Sequence, residues 1–335
     1  MRTVISTDRA AAVELLRQGE IVALPTETVY GLAADALNPI AVAKIFEAKE
    51  RPRFDPLILH LPSRGWLEKI AEIPSKDRNL ILKLAKNFWP GPFTIILPKR
   101  EIVSEIVTAG LNSVAIRISA HPVLVAIVRK LDRPLAAPSA NRFGQISPTS
   151  AQHVVDELDG RIPLVIDGGP TQHGIESTIV AVSAGQIQIL RRGPIAAEQL
   201  SEFGKVSVPA AAQQISVPGQ LPSHYAPKTP LRLVDNLESL ALHKNQRVGL
   251  LAWSGALPRV ASSRLEIRHA KVFAAVRKLS EREDLREAAA NLFRYLRELD
   301  GLGLDLIIAQ RVPSRGLGAA IMDRLERAAH VRARV

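Results

Sequence analysis

The chain has 335 residues, 47% of them hydrophobic and 23% charged, a composition that supports packed cores and excludes intrinsic disorder. It has no cysteine, and its eight histidines are scattered without a close pair; this excludes disulfides, thiolate catalysis and cysteine-held metal, and argues against a dedicated zinc site. The net charge of +11, with 19 basic against 12 acidic residues in 231–335, favours acidic partners such as nucleotides or tRNA.

In chain order, Asp8 caps a predicted helix running through Leu16. The apolar run Ile21–Leu24 reads as a buried strand, and it delivers Thr26, Glu27, Thr28 and Tyr30 to a turn bounded by Pro25 and Gly31. Polar groups crowded at a strand end suit a ligand better than a core. Pro39–Ala48 is an amphipathic helix ending in the cations Lys49, Arg51 and Arg53, which are placed to fan into a cleft and bind phosphate. A solvated helix C-terminus explains the same cluster. Leu57–Leu61 reads as a strand carrying His60, Asp77–Asn87 as a helix, and Phe93–Leu97 as a strand.

In Ser113–Ser119, alternation puts Ser113, Ala115, Arg117 and Ser119 on one face and Val114, Ile116 and Ile118 on the other. A guanidinium on such a face needs an anion, either a protein carboxylate or a substrate carboxylate. Pro122–Lys130 reads as a helix, and Leu135–Ala137 leads into Pro138-Ser139-Ala140-Asn141, whose short side chains suit phosphate or ribose oxygens or cap a turn. Leu164–Ile166 and Ser177–Val182 are predicted strands, and Arg191 and Arg192 end another. Residues 204–230 have linker composition, but contain His224-Tyr225-Ala226-Pro227, which either docks or closes over the site. Beyond it, strands are expected at Leu231–Val234, Arg247–Trp253, Leu265–His269 and Leu304–Ala309. Helical periodicity spans Lys271–Leu299 and Gly316–Ala329, a pattern that fits a small Rossmann-like unit. No Walker loop, G-x-G-x-x-G or G-x-S-x-G elbow is present. No apolar run reaches the ~20 residues of a membrane span, and Met1–Ala10 lacks a signal-peptide core; a cytoplasmic protein is the expectation.

PTETVYGL, the Lys-x-Arg pair, WPGPFT, VAIR, APSAN, GIESTIV, ILRRGP and HYAP occur in the order seen in YrdC-type proteins. The chain resembles the long form of the threonylcarbamoyl-AMP synthase family. That resemblance implies an α/β fold: a YrdC-like twisted mixed-sheet domain with an open cleft over residues 1–203, a linker and active-site lid over 204–230, and a smaller Rossmann-like domain over 231–335. It implies condensation of L-threonine, bicarbonate and ATP, with magnesium, into threonylcarbamoyl-adenylate and pyrophosphate for tRNA modification. By resemblance, Lys49, Arg51, Ser113, Ser139, Asn141, Ser147, Arg191 and Tyr225 contact ATP, and Thr28, His60, Arg117, Ala137 (through its backbone) and Ser177 surround threonine. Lys49, Arg51 and Arg117 carry the catalytic charge.

Two departures stand out. Glu50 fills the middle of Lys-x-Arg, where glycine is common, and Asp55 stands where the family usually has asparagine. Asp55 is carried as an ATP contact with three placements open: on magnesium, facing ribose hydroxyls, or pointing away. Rival readings are a carbamoyl-adenylate-forming carbamoyltransferase, which normally has extra zinc-binding or kinase-like domains, and a non-catalytic RNA-binding module. The second lacks the aromatic platforms expected for single-stranded RNA.

Overall fold

The computed structural model describes residues 2–209, 218, 225–237, 242, 246–254 and 273–330. Two compact units divide the chain: residues 1–143 with 147–221, and residues 144–146 with 222–335.

The first unit begins β1 (Val4–Ser6), α1 (Arg9–Arg17), β2 (Val22–Leu24), β3 (Gly31–Asp35), α2 (Pro39–Lys49), β4 (Ile58–His60), α3 (Leu67–Ile70), α4 (Arg78–Phe88) and β5 (Phe93–Pro98). It continues α5 (Glu105–Thr108), β6 (Ser113–Arg117), α6 (Pro122–Leu131), β7 (Leu135–Ala136), α7 (Ala151–Leu158), β8 (Leu164–Ile166), β9 (Thr178–Ser183), β10 (Gln186–Arg191), α8 (Ala197–Ser201) and β11 (Lys205–Ser207). Helix starts follow local chemistry: the carboxylate of Asp8 accepts from Ala10 and Ala11 N–H, and the Asn38 amide oxygen caps α2, which opens on Pro39.

Its strands form one mixed sheet in the order β1-β8-β2-β3-β7-β4-β6-β5-β9-β10-β11. Residues 205–207, counted with the linker on composition, pair in parallel with β10 as its edge strand. Alternation assigns the two faces. Ala23, Leu32, Leu59, Ile95, Ile116 and Val180 face the main core with α2 and α4. On the opposite face, Val22, Leu24, Ala33 and Leu135 are covered by Val13 and Leu16 of α1 and Leu124 and Ile127 of α6. That cover stops at β7. Beyond it lies a small apolar floor of Ile58, Ala115 and Ile179. His60, Arg117 and Thr94 share that face, in register across β4, β6 and β5.

The second unit holds β12 (Leu231–Val234), β13 (Val248–Ala252), β14 (Ala275–Lys278), α9 (Leu285–Asp300), β15 (Leu306–Gln310) and α10 (Gly318–Ala329). Its sheet is parallel throughout, in the order β12-β15-β13-β14, as a Rossmann-like unit requires. The helical reading of Lys271–Leu299 fails in its first part. Residues 275–278 are a strand, and the helix starts only after Asp284, whose carboxylate caps Arg286 and Glu287 N–H. The expected strand Leu265–His269 and His224 lie outside the described residues. Among the described residues no helix is long and apolar enough to cross a membrane.

Candidate active site

Arg117, at the end of β6, is 3% exposed. Its Nε donates to Gly91 O (3.2 Å), Nη1 to Thr28 Oγ1 (3.0 Å) and Nη2 to Glu27 Oε1 (2.7 Å). Of the two anions open on sequence grounds, the structure supplies the protein carboxylate. Glu27 also accepts from Ser119 Oγ. Burial raises the Glu27 pKa, but the Arg117 charge and the hydrogen bonds from Ser119 and Arg117 outweigh it, holding the carboxyl at about 2. A guanidinium has five N–H donors, so the three bonds leave two for a further anion.

The turn that presents Glu27 is fixed by Thr26. Its Oγ1 donates to Val29 O (2.7 Å), accepts from Thr28 N–H (3.0 Å), and lies 2.8 Å from Thr28 Oγ1. Tyr30 does not join the ligand face. Its hydroxyl donates to Gly169 O at 2.7 Å and accepts from Gly168 N–H at 3.1 Å, so it ties the hairpin to the chain beyond β8.

His60, beside Arg117, is pushed down to about 3 by burial and by the Arg117 charge. Its ring is therefore neutral at physiological pH, and its buried Nδ1 has no hydrogen-bond partner. Thr94, the register partner of Arg117, starts a separate chain of contacts: its Oγ1 lies 2.8 Å from Ser177 Oγ, which accepts from Arg191 Nη2 at 3.0 Å. Arg191 Nε donates to Ser177 O (3.1 Å) and Nη1 to Pro218 O (3.2 Å). The glycine after Arg192 has a defined reason. A Cβ on Gly193 would lie 2.3 Å from Thr178 N and 2.5 Å from the Ser177 carbonyl carbon. Gly193→Ala is expected to lower stability by about 1–3 kcal/mol, as overpacking does; a denaturant midpoint matching the parent chain's would refute this.

A second polar group forms where α2 ends. Lys49 Nζ donates to Ser139 O (2.5 Å) and to Asn141 O, and Phe143 N–H donates back to Lys49 O (3.0 Å). Arg51 donates to Asp55 O and Pro56 O and lies 5.9 Å from the Phe143 ring centroid. The loop 139–143 therefore encircles the Lys-x-Arg pair. Burial and the neighbouring Arg51 lower Lys49 from 10.5 to about 7, against the charges of Glu157 and Asp55.

Asp55 is 1% exposed, with Oδ2 2.9 Å from Arg51 Nη2 in an ion pair that makes no hydrogen bond. Burial pushes its carboxyl up, while Arg51, Lys49 and Arg191 pull it down, so it faces the cations and does not point away. Glu50 turns outward, with Oε1 2.8 Å from Arg161 and Oε2 paired with Arg142. Its φ of 53° is the left-handed conformation that makes glycine common there. Arg53 is exposed and does not join the cluster.

Ser147 Oγ donates to Glu176 Oε1 at 2.6 Å. Ala137 spends its N–H on Ile58 O, leaving its carbonyl as its backbone contribution. Ser113 shares the face of Arg117 but lies at the opposite end of β6. Tyr225 belongs to the second unit, stacked on Phe293 at 5.4 Å with the Arg324 guanidinium 5.2 Å from its ring. The sequence placed Glu27 at the ligand-facing turn and Ser119 on the Arg117 face without assigning either a role; the structure makes Glu27 the partner of both Arg117 and Ser119. Thr94 and Glu176 were given no role, and position on the floor-side face would have found Thr94. Among the described residues there is no cluster of three His, Asp or Glu able to hold a metal by itself.

The arrangement thus offers a guanidinium with two spare donors beside a neutral imidazole at one end, which suits a carboxylate. At the other end three buried cations surround one carboxylate, which suits a polyphosphate. Comparison with known proteins agrees. The Sua5–YciO–YrdC family model, described as "Telomere recombination", matches residues 14–193. A second, described as "Threonylcarbamoyl-AMP synthase, C-terminal domain", matches residues 195–330. The chain is 38% identical over 328 residues to a threonylcarbamoyl-AMP synthase of Pyrococcus abyssi, covering 96% of this chain and 94% of that one. It is 41% identical over 336 residues to one of Bacillus subtilis, covering 96% and 92%. The crystal structure of P. abyssi Sua5 complexed with L-threonine superposes with a TM-score of 0.86 at 35% identity, covering 98% of each chain.

Proposed function

Because the chain belongs to the Sua5–YciO–YrdC family and carries its C-terminal domain, we propose that it condenses L-threonine, bicarbonate and ATP into threonylcarbamoyl-AMP and pyrophosphate. The observation that carries this reading is that Arg117 lies directly across the sheet from Thr94, whose hydroxyl is hydrogen-bonded to Ser177 Oγ and through it to Arg191. A carboxylate-binding end and a polyphosphate-binding end thus meet within one unit.

The two spare donors of Arg117 take the threonine carboxylate, with Glu27 and Thr28 holding the guanidinium in place. Neutral His60 accepts a hydrogen bond without adding charge. The threonine amine bonds to the carbon of carbon dioxide released from bicarbonate, losing a proton to become a carbamate. A carbamate oxygen then attacks the α-phosphorus, and the bond to pyrophosphate breaks. Lys49, Arg51 and Arg191 stabilise the charge moving onto the leaving group, so positioning and electrostatics do the catalysis and no covalent enzyme intermediate forms. Magnesium fits as a companion of the triphosphate, since such ions are held by one or two carboxylates plus phosphate oxygens. Asp55 would be the carboxylate that holds it. The product is a mixed anhydride, and its consumer is an acyl transferase acting on an amine; tRNA adenosine beside the anticodon is the acceptor we assign.

The test is pyrophosphate release from ATP and magnesium with L-threonine or bicarbonate omitted in turn. Release requiring both supports the synthase; release driven by carbamoyl phosphate without threonine would overturn it. A second test uses Lys49. At a pKa of about 7 it is roughly nine-tenths neutral at pH 8, so bound triphosphate must draw a proton onto it. ATP binding at pH 8 is expected to take up close to one proton, fading below pH 6 and absent in Lys49→Met, as read calorimetrically in buffers of different ionisation enthalpy. Equal uptake in both proteins would remove Lys49 from this role. The same shift affects folding. The unfolded lysine keeps its proton to 10.5 and the folded one releases it near 7, so this group makes stability rise with pH across that window.

A further inference from the structure

A cavity of about 640 Å³ opens just past the ends of β4 and β6, wholly within the first unit. Its volume is in the range of small-molecule pockets. The floor is apolar, formed by Leu61, Ile118, Leu124 and Val128, all buried. At the rim stand two exposed cations, Arg64 and Arg129, and none of the residues that line it is acidic. Among the described residues Arg64 donates only through Nη2, to the carbonyls of Ala85, Lys86 and Trp89, which leaves its Nε and Nη1 for a ligand. Arg129 makes no ion pair or side-chain hydrogen bond among the described residues. An apolar floor takes an aliphatic chain, and arginines without a competing acid take a carboxylate. An ammonium finds no partner there and meets two like charges, so the cavity discriminates against free amino acids, L-threonine included.

One wall of the cavity is shared with the groups that hold Arg117. Ser119 lines it, and its Oγ donates to Glu27 Oε2, on the same carboxylate that accepts from Arg117. Ile118 O accepts from Gly91 N–H at 2.8 Å, and Gly91 O accepts from Arg117 Nε at 3.2 Å. Two of the three groups bonded to the guanidinium, Glu27 and Gly91, are thus themselves bonded to residues of the cavity. We infer that the cavity is a second ligand site, for a small aliphatic monocarboxylate, and that filling it tightens threonine binding. A ligand packed on Ile118 and Ser119 removes freedom that threonine must otherwise remove, which makes the coupling positive. The coupling rests on the synthase reading, because it needs threonine on Arg117; the site itself does not.

The test titrates the full-length chain with octanoate, using 1-octanol and octylamine as neutral and cationic controls. Octanoate is expected to bind more tightly than either. Arg129→Gln should weaken octanoate ~10-fold, as the loss of a charge-assisted hydrogen bond does, and leave octanol unaffected. Val125 is half-buried and lines the cavity, so Val125→Trp should fill it and abolish binding. Both positions lie away from the substrate residues, and turnover without octanoate should match the parent chain's. With octanoate saturating, the Kd for L-threonine should fall ~5-fold, at the low end of measured couplings, and threonine should tighten octanoate by the same factor. Octanoate binding no better than octanol, or equally well in Val125→Trp, would overturn the site. Octanoate binding that leaves the threonine Kd unchanged would overturn the coupling. A parent chain that binds octanoate but no L-threonine would sink the synthase reading and the coupling with it, and leave the site standing.

Discussion

Replacing Arg117 by Met is expected to abolish threonine-dependent turnover and also to weaken the fold, and the two losses are separable. The substitution strands Glu27, 4% exposed, without its ion-pair partner, and breaking a buried pair costs about 3–5 kcal/mol. Losing two charge-assisted hydrogen bonds to the substrate should raise KM for L-threonine by at least ~100-fold. Arg117→Met combined with Glu27→Met should recover most of the stability and none of the activity. Chemical denaturation and threonine titration measure the two effects independently; a double variant that binds threonine would show that the guanidinium is structural. The pH dependence carries a sign. Glu27 is depressed from 4.5 to about 2, so its contribution is complete above about 4.5 and is lost as pH falls through about 2. The double variant should lack that acid limb.

The second large effect is at Arg51. Arg51→Met is expected to slow pyrophosphate release by ~10²–10³-fold, the range for removing one preorganised donor from developing charge. It also leaves Asp55 buried with one cation fewer, so its carboxyl should rise further. Arg51→Met with Asp55→Asn should regain stability without regaining rate. Asp55→Asn alone separates its roles. If the carboxylate meets magnesium, the ion concentration giving half-maximal rate rises; if that concentration is unchanged and KM for ATP falls, Asp55 only repels phosphate.

Much of this site was legible in the sequence, because its residues sit at the ends of strongly patterned elements. Alternation through Val114–Ile118 placed Arg117 on the floor-side face, and the helical period over Pro39–Ala48 stopped one residue short of the last residue of α2, Lys49. What could not be read was pairing across the sheet. Glu27 and Arg117 are ninety residues apart, and nothing local shows that the hairpin turn meets the end of β6. Tyr30 misled for the same reason: its partner is a backbone carbonyl at Gly169, which carries no side-chain signature. Arg53 was misplaced because three cations at alternate positions look alike in sequence, while the turn after Pro52 buries only the first two. Strand β14 was hidden by Val276 and Leu279, whose spacing also suits the helix that follows. The parallel second sheet was anticipated because apolar runs alternating with helical patterns leave few other topologies.

The order in which the sheet is joined sets when a growing chain becomes chemically competent. Strand β9 pairs with β5, and β8 with β1 and β2, so both ends of the sheet wait on residues beyond 160. Such distant pairings form late. A ribosome-bound chain that has emerged only through Asn141 already holds the Lys-x-Arg pair and its encircling carbonyls. It still lacks Ser177, Arg191 and the strand that seats them beside Thr94. The two ends of the site are therefore completed at different stages of chain growth, the Lys-x-Arg end first and the Arg191 end last.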